Sequence, residues 1–79
     1  MIHLVKHTSD GENWKFCYAE SVDEEEDHLI LSNVKTPIAE INKDGERCIK
    51  TINIDQYQIN CKGEGAVALA FRVTKPFWF

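Results

Sequence analysis

Ser9-Asp10-Gly11-Glu12-Asn13 and Lys43-Asp44-Gly45-Glu46-Arg47 decide the fold, because each places Asp-Gly between runs rich in β-branched and aromatic residues. The centre of a tight hairpin turn needs residues that tolerate positive φ, and Asp-Gly is among the strongest short-range hairpin signals. Lys62-Gly63-Glu64-Gly65 offers a third reversal. The Asp-Gly-Glu triplet repeats, but its flanks differ, so it reads as convergent turn chemistry with no internal duplication.

Working outward from the first turn, a strand near Ile2 to His7 pairs with one near Asn13 to Glu20. A bulged register sets Leu4 beside Tyr18 and gathers Ile2, Leu4, Trp14, Phe16 and Tyr18 on one face. The two-residue alternative would oppose Lys6 and Lys15. Around the second turn, 37–42 pairs with 47–54, with Ile41 meeting Ile49, Ile38 meeting Ile52 and Glu40 meeting Lys50. Around the third, Tyr57, Ile59 and Cys61 alternate with polar residues. Val67, Leu69, Phe71 and Val73 alternate with Ala66, Ala68 and Ala70. A third hairpin then places Cys61 opposite Val67, with the last strand at the sheet centre and its alanine face open to close approach by a helix, a strand or a partner.

Between the first two hairpins, Ser21-Val22-Asp23-Glu24 matches a capping box and marks a short helix over 22–27. Leu29, Ile30 and Leu31 lack helical spacing and favour a buried strand over 28–34. Thr36-Pro37 breaks the run, since proline and the residue before it are confined to extended starts or edges. The expected fold is mainly β: a small antiparallel sheet, barrel or sandwich of six or seven strands built from three hairpins. An α+β arrangement with the helix on the alanine face is second.

Seventy-nine residues make one domain, 1–79, which at this size buries only roughly 60–65% of the surface its unfolded chain exposes. Such domains gain support from a disulfide, a metal or another chain. Cys17, Cys48 and Cys61 are odd in number and lack CxxC spacing, so free thiols in a reducing compartment are expected. His3 and His7 stand four apart, which on a strand is roughly 13 Å, too far for one ion. No metal or cofactor is expected, and a partner protein or self-association remains as the source of support. The start of the chain turns polar after Val5, and no apolar run reaches the roughly 20 residues of a membrane span. A soluble, cytoplasmic protein is the expectation.

Thirteen acids stand against nine bases, yet Asp23, Glu24, Glu25, Glu26 and Asp27 are consecutive, and without them eight acids face nine bases. The negative charge is local. A concentrated run on a near-neutral body can steer a basic partner, although it also suits a solvated turn. Phe77-Trp78-Phe79 after Lys75-Pro76 is too much apolar surface to leave bare; it either folds back over the core or docks on another chain. Trp14, Phe16 and Tyr18 with Lys15 could stack single-stranded bases, but nucleic-acid binding wants a basic groove that this composition lacks, so they are assigned to the core. His28 beside Asp27 is a local pair able to titrate near neutrality. No nucleophile or acid-base spacing points to catalysis.

The short, acidic, motif-poor profile is similar to that of phage or mobile-element inhibitors of host defence, including anti-CRISPR proteins, without a motif that carries residues over. It implies a non-enzymatic module that covers a basic partner surface through Asp23 to Asp27 and Phe77 to Phe79. A toxin-neutralising immunity protein would use the same physics.

Overall fold

The computed structural model describes residues 1–79 as five strands and no helix: β1 (Ile2–Thr8), β2 (Lys15–Glu24), β3 (His28–Ile41), β4 (Arg47–Asn60) and β5 (Val67–Val73). They form one antiparallel sheet in the order β4-β3-β2-β1-β5. β1 to β4 are a meander. The chain then crosses from one edge of the sheet to the other, and β5 pairs with β1.

Both Asp-Gly sequences are turns, with Gly11 and Gly45 at φ 79°. The Leu4–Tyr18 pair of the bulged register is present. Asp10 organises its loop: its carboxylate accepts from the backbone N–H of Asn13 and Glu12 at 2.9 Å, from the Asn13 amide at 2.7 Å and from the Thr8 hydroxyl at 2.9 Å. These donors, the backbone N–H groups foremost, hold the carboxyl well below the usual carboxylate range.

Four expectations are corrected. Residues 22–27 form no helix: Ser21 to Glu24 extend β2, and Glu25 N–H donates to the His28 carbonyl at 2.9 Å, closing a two-residue turn. Neither Glu26 nor Asp27 takes positive φ, so the turn carries none of the Asp-Gly chemistry that announces a hairpin. The β3–β4 register is shifted by two, pairing Ile41 with Arg47, Ile38 with Lys50 and Ala39 with Ile49. Its turn closes at Asn42 and Glu46. The Glu40–Lys50 contact survives as a diagonal ion pair of 3.1 Å. The hairpin between residues 57–61 and 67–73 does not form. β4 and β5 are opposite edges, and the sheet centre is β2. Finally, the expected mainly β, small antiparallel sheet is present, but with five strands in place of six or seven, and it is open, neither barrel nor sandwich.

The sheet curls. β1 and β4 are not neighbours, yet the rings of His7 and Tyr57 lie 6.0 Å apart, and Ala68 of β5 packs against the core. The hollow holds Val5, Cys17, Ala19, Leu29, Leu31, Val34 and Ile59, all buried. Strict alternation cannot turn all of these inward: Leu31 and Val34 are three apart, as are Ala19 and Val22, which packs against the core, and Ile54 and Tyr57, which line a cleft with Cys17 and Val34. The pairing lapses along one line, at Glu20, Asn33 and Asp55, which are absent from an otherwise constant register. Asn33 supplies the local geometry, with φ 51° and its amide donating to the Glu20 carboxylate at 2.6 Å. Each strand changes phase there, so the core stays on one face.

β3 runs unbroken through Thr36-Pro37, where a break is expected from the sequence; Pro37 fits because the β2–β3 pairing ends at Tyr18–Lys35, leaving β3 with a neighbour only on the β4 side. The crossover from β4 to β5 passes close over the first loop. A Cβ on Gly65 would lie 3.1 Å from the Asp10 carbonyl carbon. Burial pushes the Cys17 thiol up to about 11.

Two outcomes are expected. Asn33→Gly should leave the melting temperature nearly unchanged, whereas Asn33→Val, forced into the left-handed region, should cost about 1–2 kcal/mol in urea unfolding. Because folding lowers the Asp10 pKa, its contribution is present above about pH 4 and is lost as pH falls below that. Asp10→Asn should therefore lower the melting temperature at pH 7 and flatten its decline toward acid, as read by circular dichroism.

Candidate functional site

With the core on the hollow side, the outer face of β2-β1-β5 carries the other half of each alternation. Its cross-strand rows are Phe16–Lys6–Leu69 and Tyr18–Leu4–Phe71. Phe16 and Phe71 are each 48% exposed and Leu69 is 45% exposed. The large residues that the alternation marks as an apolar face do share one, but it looks outward. The alanines of β5 lie on the hollow side, Ala68 partly buried against the core and Ala70 exposed in a cleft it shares with His3, Leu29 and Arg72.

The C-terminal aromatics divide. A turn closed by Phe79 N–H to the Pro76 carbonyl at 3.1 Å lays Trp78 edge-on against Tyr18, with ring centroids 4.9 Å apart. Phe79 lies under the Lys35 ammonium, 4.7 Å from the ring centroid, and its backbone carbonyl accepts from the same ammonium. Lys75 flanks the ring at 5.7 Å. Together they help bury Ile2, which shares a hollow with Phe79. Phe77 stays 92% exposed. The tail thus folds back through two residues and presents the third, extending an aromatic run of Phe16, Tyr18, Trp78 and Phe79 across the outer face.

The acidic run crowns the β2–β3 hairpin, with all five side chains exposed. Asp23 pairs with Ile30 and Glu24 with Leu29, so their carboxylates leave on opposite faces of the ribbon. Asp27 anchors the tip: its carboxylate meets His28 Nδ1 at 2.7 Å and its carbonyl accepts from Cys61 N–H at 2.8 Å. Glu24 lines a cleft with His3, Val22, Leu29 and Arg72, and Glu26 and Asp27 line another with Lys62. Two of this chain's own cations therefore stand near the acids, and Asp23 and Glu25 line neither cleft.

Trp14, Lys15, Phe16 and Tyr18 fall in different environments. Trp14 is 44% exposed beside β2, Phe16 is on the outer face, Tyr18 is half-buried under Trp78, and Lys15 points to the hollow side opposite His7. Desolvation first, then Lys15, lowers the His7 pKa. No group of His, Cys, Asp and Glu is arranged to hold a metal ion. No family model, curated relative or solved structure matches the chain.

Sequence reasoning missed Leu4, Leu69 and Phe71 as outer-surface residues. The available signal was the alternation, which shows that the two faces of β5 differ but not which of them is covered. Phe16→Ser and Phe71→Ser should each leave urea stability within about 1 kcal/mol of the parent, as half-exposed positions do. Leu31→Ala, in the hollow, should cost about 2–5 kcal/mol. Equal losses at all three positions would mean that the outer face is covered in the folded monomer.

Proposed function

We propose that the chain is a non-catalytic protein-binding module, an inhibitor or modulator that covers a basic surface of a partner protein. The half-exposed apolar side chains of the outer face, Phe16 on one side of Lys6 and Val67, Leu69 and Phe71 on the other, carry this proposal. Soluble monomers rarely leave such contiguous aromatic and aliphatic surface open unless it is used. Buried aromatic anchors supply most of the energy of protein interfaces. The acids Asp23 to Asp27 contribute reach. They project at a hairpin tip, where they would speed encounter with a cationic surface and orient the approach, while adding little to the final affinity.

Basic surfaces of this kind are common on nucleic-acid-binding proteins. A phage-encoded or mobile-element inhibitor of host defence, an anti-CRISPR-like role, is the setting we favour, with toxin neutralisation as the same mechanism on another target. The cytoplasm is the compartment we propose. No helix is long and apolar enough to cross a membrane.

A second reading has one observation in its favour: Trp14 and Phe16, assigned to the core from sequence, are 44% and 48% exposed, with Lys6 and Lys15 on neighbouring positions. Single-stranded nucleic acid could stack on them. The two readings part in one experiment. The immobilised chain should capture a protein identifiable by mass spectrometry, and bait carrying Phe16→Ser with Phe71→Ser should lose it. Replacing the five acids of 23–27 with Asn and Gln should slow association with that protein, most at low salt, with the melting temperature nearly unchanged. Tight binding of single-stranded oligonucleotides that disappears with Trp14→Ala and Phe16→Ala would favour the alternative instead.

A further inference from the structure

Beyond Lys35 and Asn53 the sheet narrows to β3 and β4 alone, a two-stranded arm that helps stretch the molecule to 47 Å in its longest dimension. An isolated ribbon of this kind is marginal in water, and a third strand or a covered face is what normally stabilises one. This arm carries apolar residues on both faces. Thr36, Ile52 and Ile38 alternate with Pro37, Ala39, Ile49 and Ile41. Ile52 is 51% exposed and Ile49 is 44% exposed.

Ahead of the phase slip at Asp55, its outer strand is also an unguarded edge. β4 runs fourteen residues, Arg47–Asn60, with no proline or glycine and three charged residues, Arg47, Lys50 and Asp55. Lys50 is engaged by Glu40 of β3. Natural sheets usually blunt a long edge with proline, bulges or charge, because its open N–H and C=O groups template another strand. Pro37 fixes which groups are open. It lies opposite Thr51 and has no N–H to give, so this must be a pair whose hydrogen bonds are not exchanged with each other. The N–H and C=O of Thr51 therefore point away from β3. The phase agrees with the turn, where Asn42 N–H donates to the Glu46 carbonyl, and it aims Ile49 and Asn53 outward as well.

We infer that β4 is a dimerisation edge whose occupant is the β4 strand of a second copy, antiparallel about a two-fold axis at Thr51. In this register Thr51 meets its own mate and Ile49 meets Asn53, giving about six backbone hydrogen bonds across the axis. Arg47 falls opposite Asp55, and symmetry makes that opposite-charge pair twice. Ile52 of each chain lies diagonal to the other, within reach for side-chain contact. The joined arms become a four-stranded antiparallel sheet, β3-β4-β4-β3. Area supports a second copy. A 9.1 kDa monomer should expose roughly 4,900 Å², whereas this chain exposes 5840 Å². The excess is close to the about 800 Å² that each partner contributes to a standard interface. The edge lies apart from the Phe16–Phe71 face, so dimerisation does not depend on the function proposed above.

Sedimentation equilibrium in reducing buffer, which keeps Cys48 and Cys61 from cross-linking, tests this. The wild-type chain should sediment as a dimer, and Arg47→Glu or Asp55→Arg alone should weaken association about tenfold or more. The double swap R47E/D55R should restore it. Thr51→Pro removes only an outward donor, so it should give a monomer whose far-ultraviolet circular dichroism and melting temperature stay near those of Arg47→Glu. If Thr51→Pro fails to fold, the charge swap decides alone. A wild-type chain that stays monomeric up to about 1 mM, or a dimer indifferent to the charge variants, overturns the proposal. Loss of dimer on Phe16→Ser or Phe71→Ser with the charge variants silent would place the contact on the other face and overturn it equally.

Discussion

The structure depends on a change of phase in the alternation of its strands. A β-strand turns successive side chains to opposite faces, so a core can persist along it only while apolar residues recur at every second position. Here they do not. Ala19 and Val22, Leu31 and Val34, and Ile54 and Tyr57 are each three apart, and each pair must look into the same hollow. The sheet accommodates this by slipping phase on three adjacent strands along one line, with Asn33 in the left-handed region at its middle. Without the slip, either Val5 and Cys17 or Leu29 and Leu31 would lie on the wrong side. The buried cluster would be split between two faces, each too small to hold the fold.

Much of the architecture follows from residues readable one stretch at a time. The two Asp-Gly loops, the extended segments on either side and the bulged Leu4–Tyr18 register are local chemistry: positive φ at glycine, a side-chain acceptor at Asp10, and alternation of apolar residues. What was not legible is long-range or unmarked. The Glu26-Asp27 turn has neither glycine nor positive φ, and the same Ser-x-x-Glu that could cap a helix is absorbed into a strand. The pairing of β5 with β1 depends on which edge is open after four strands have assembled, and no local pattern encodes that choice.

The surface was misread for a related reason. A face of Phe, Leu and Val opposite a face of Ala suggests that the large side chains are interior, which holds for flat sheets packed against a second layer. In a curled single sheet one face is covered by the curl and the other is left open. Ala68 lies on the covered side against the core, and Leu69 and Phe71 lie on the convex side. The acidic run was visible as charge, but its division between two ribbon faces, and the nearness of Arg72 and Lys62, required the hairpin to be placed. Trp78 and Phe79 cover Tyr18 and Ile2, while Phe77 remains open, a division that no composition argument separates.

The partnership of β1 with β5 also sets the order in which the molecule can be completed. Ile2 pairs with Val73, so β1 must wait for all four later strands before its second neighbour exists. β1 to β4 can zip by successive short reversals, but the final ladder closes the largest loop in the topology, an entropic cost met late and one that slows folding. During synthesis the nascent meander carries an unfilled slot beside Leu4 and Val5, which is vulnerable to strands from neighbouring chains until β5 arrives.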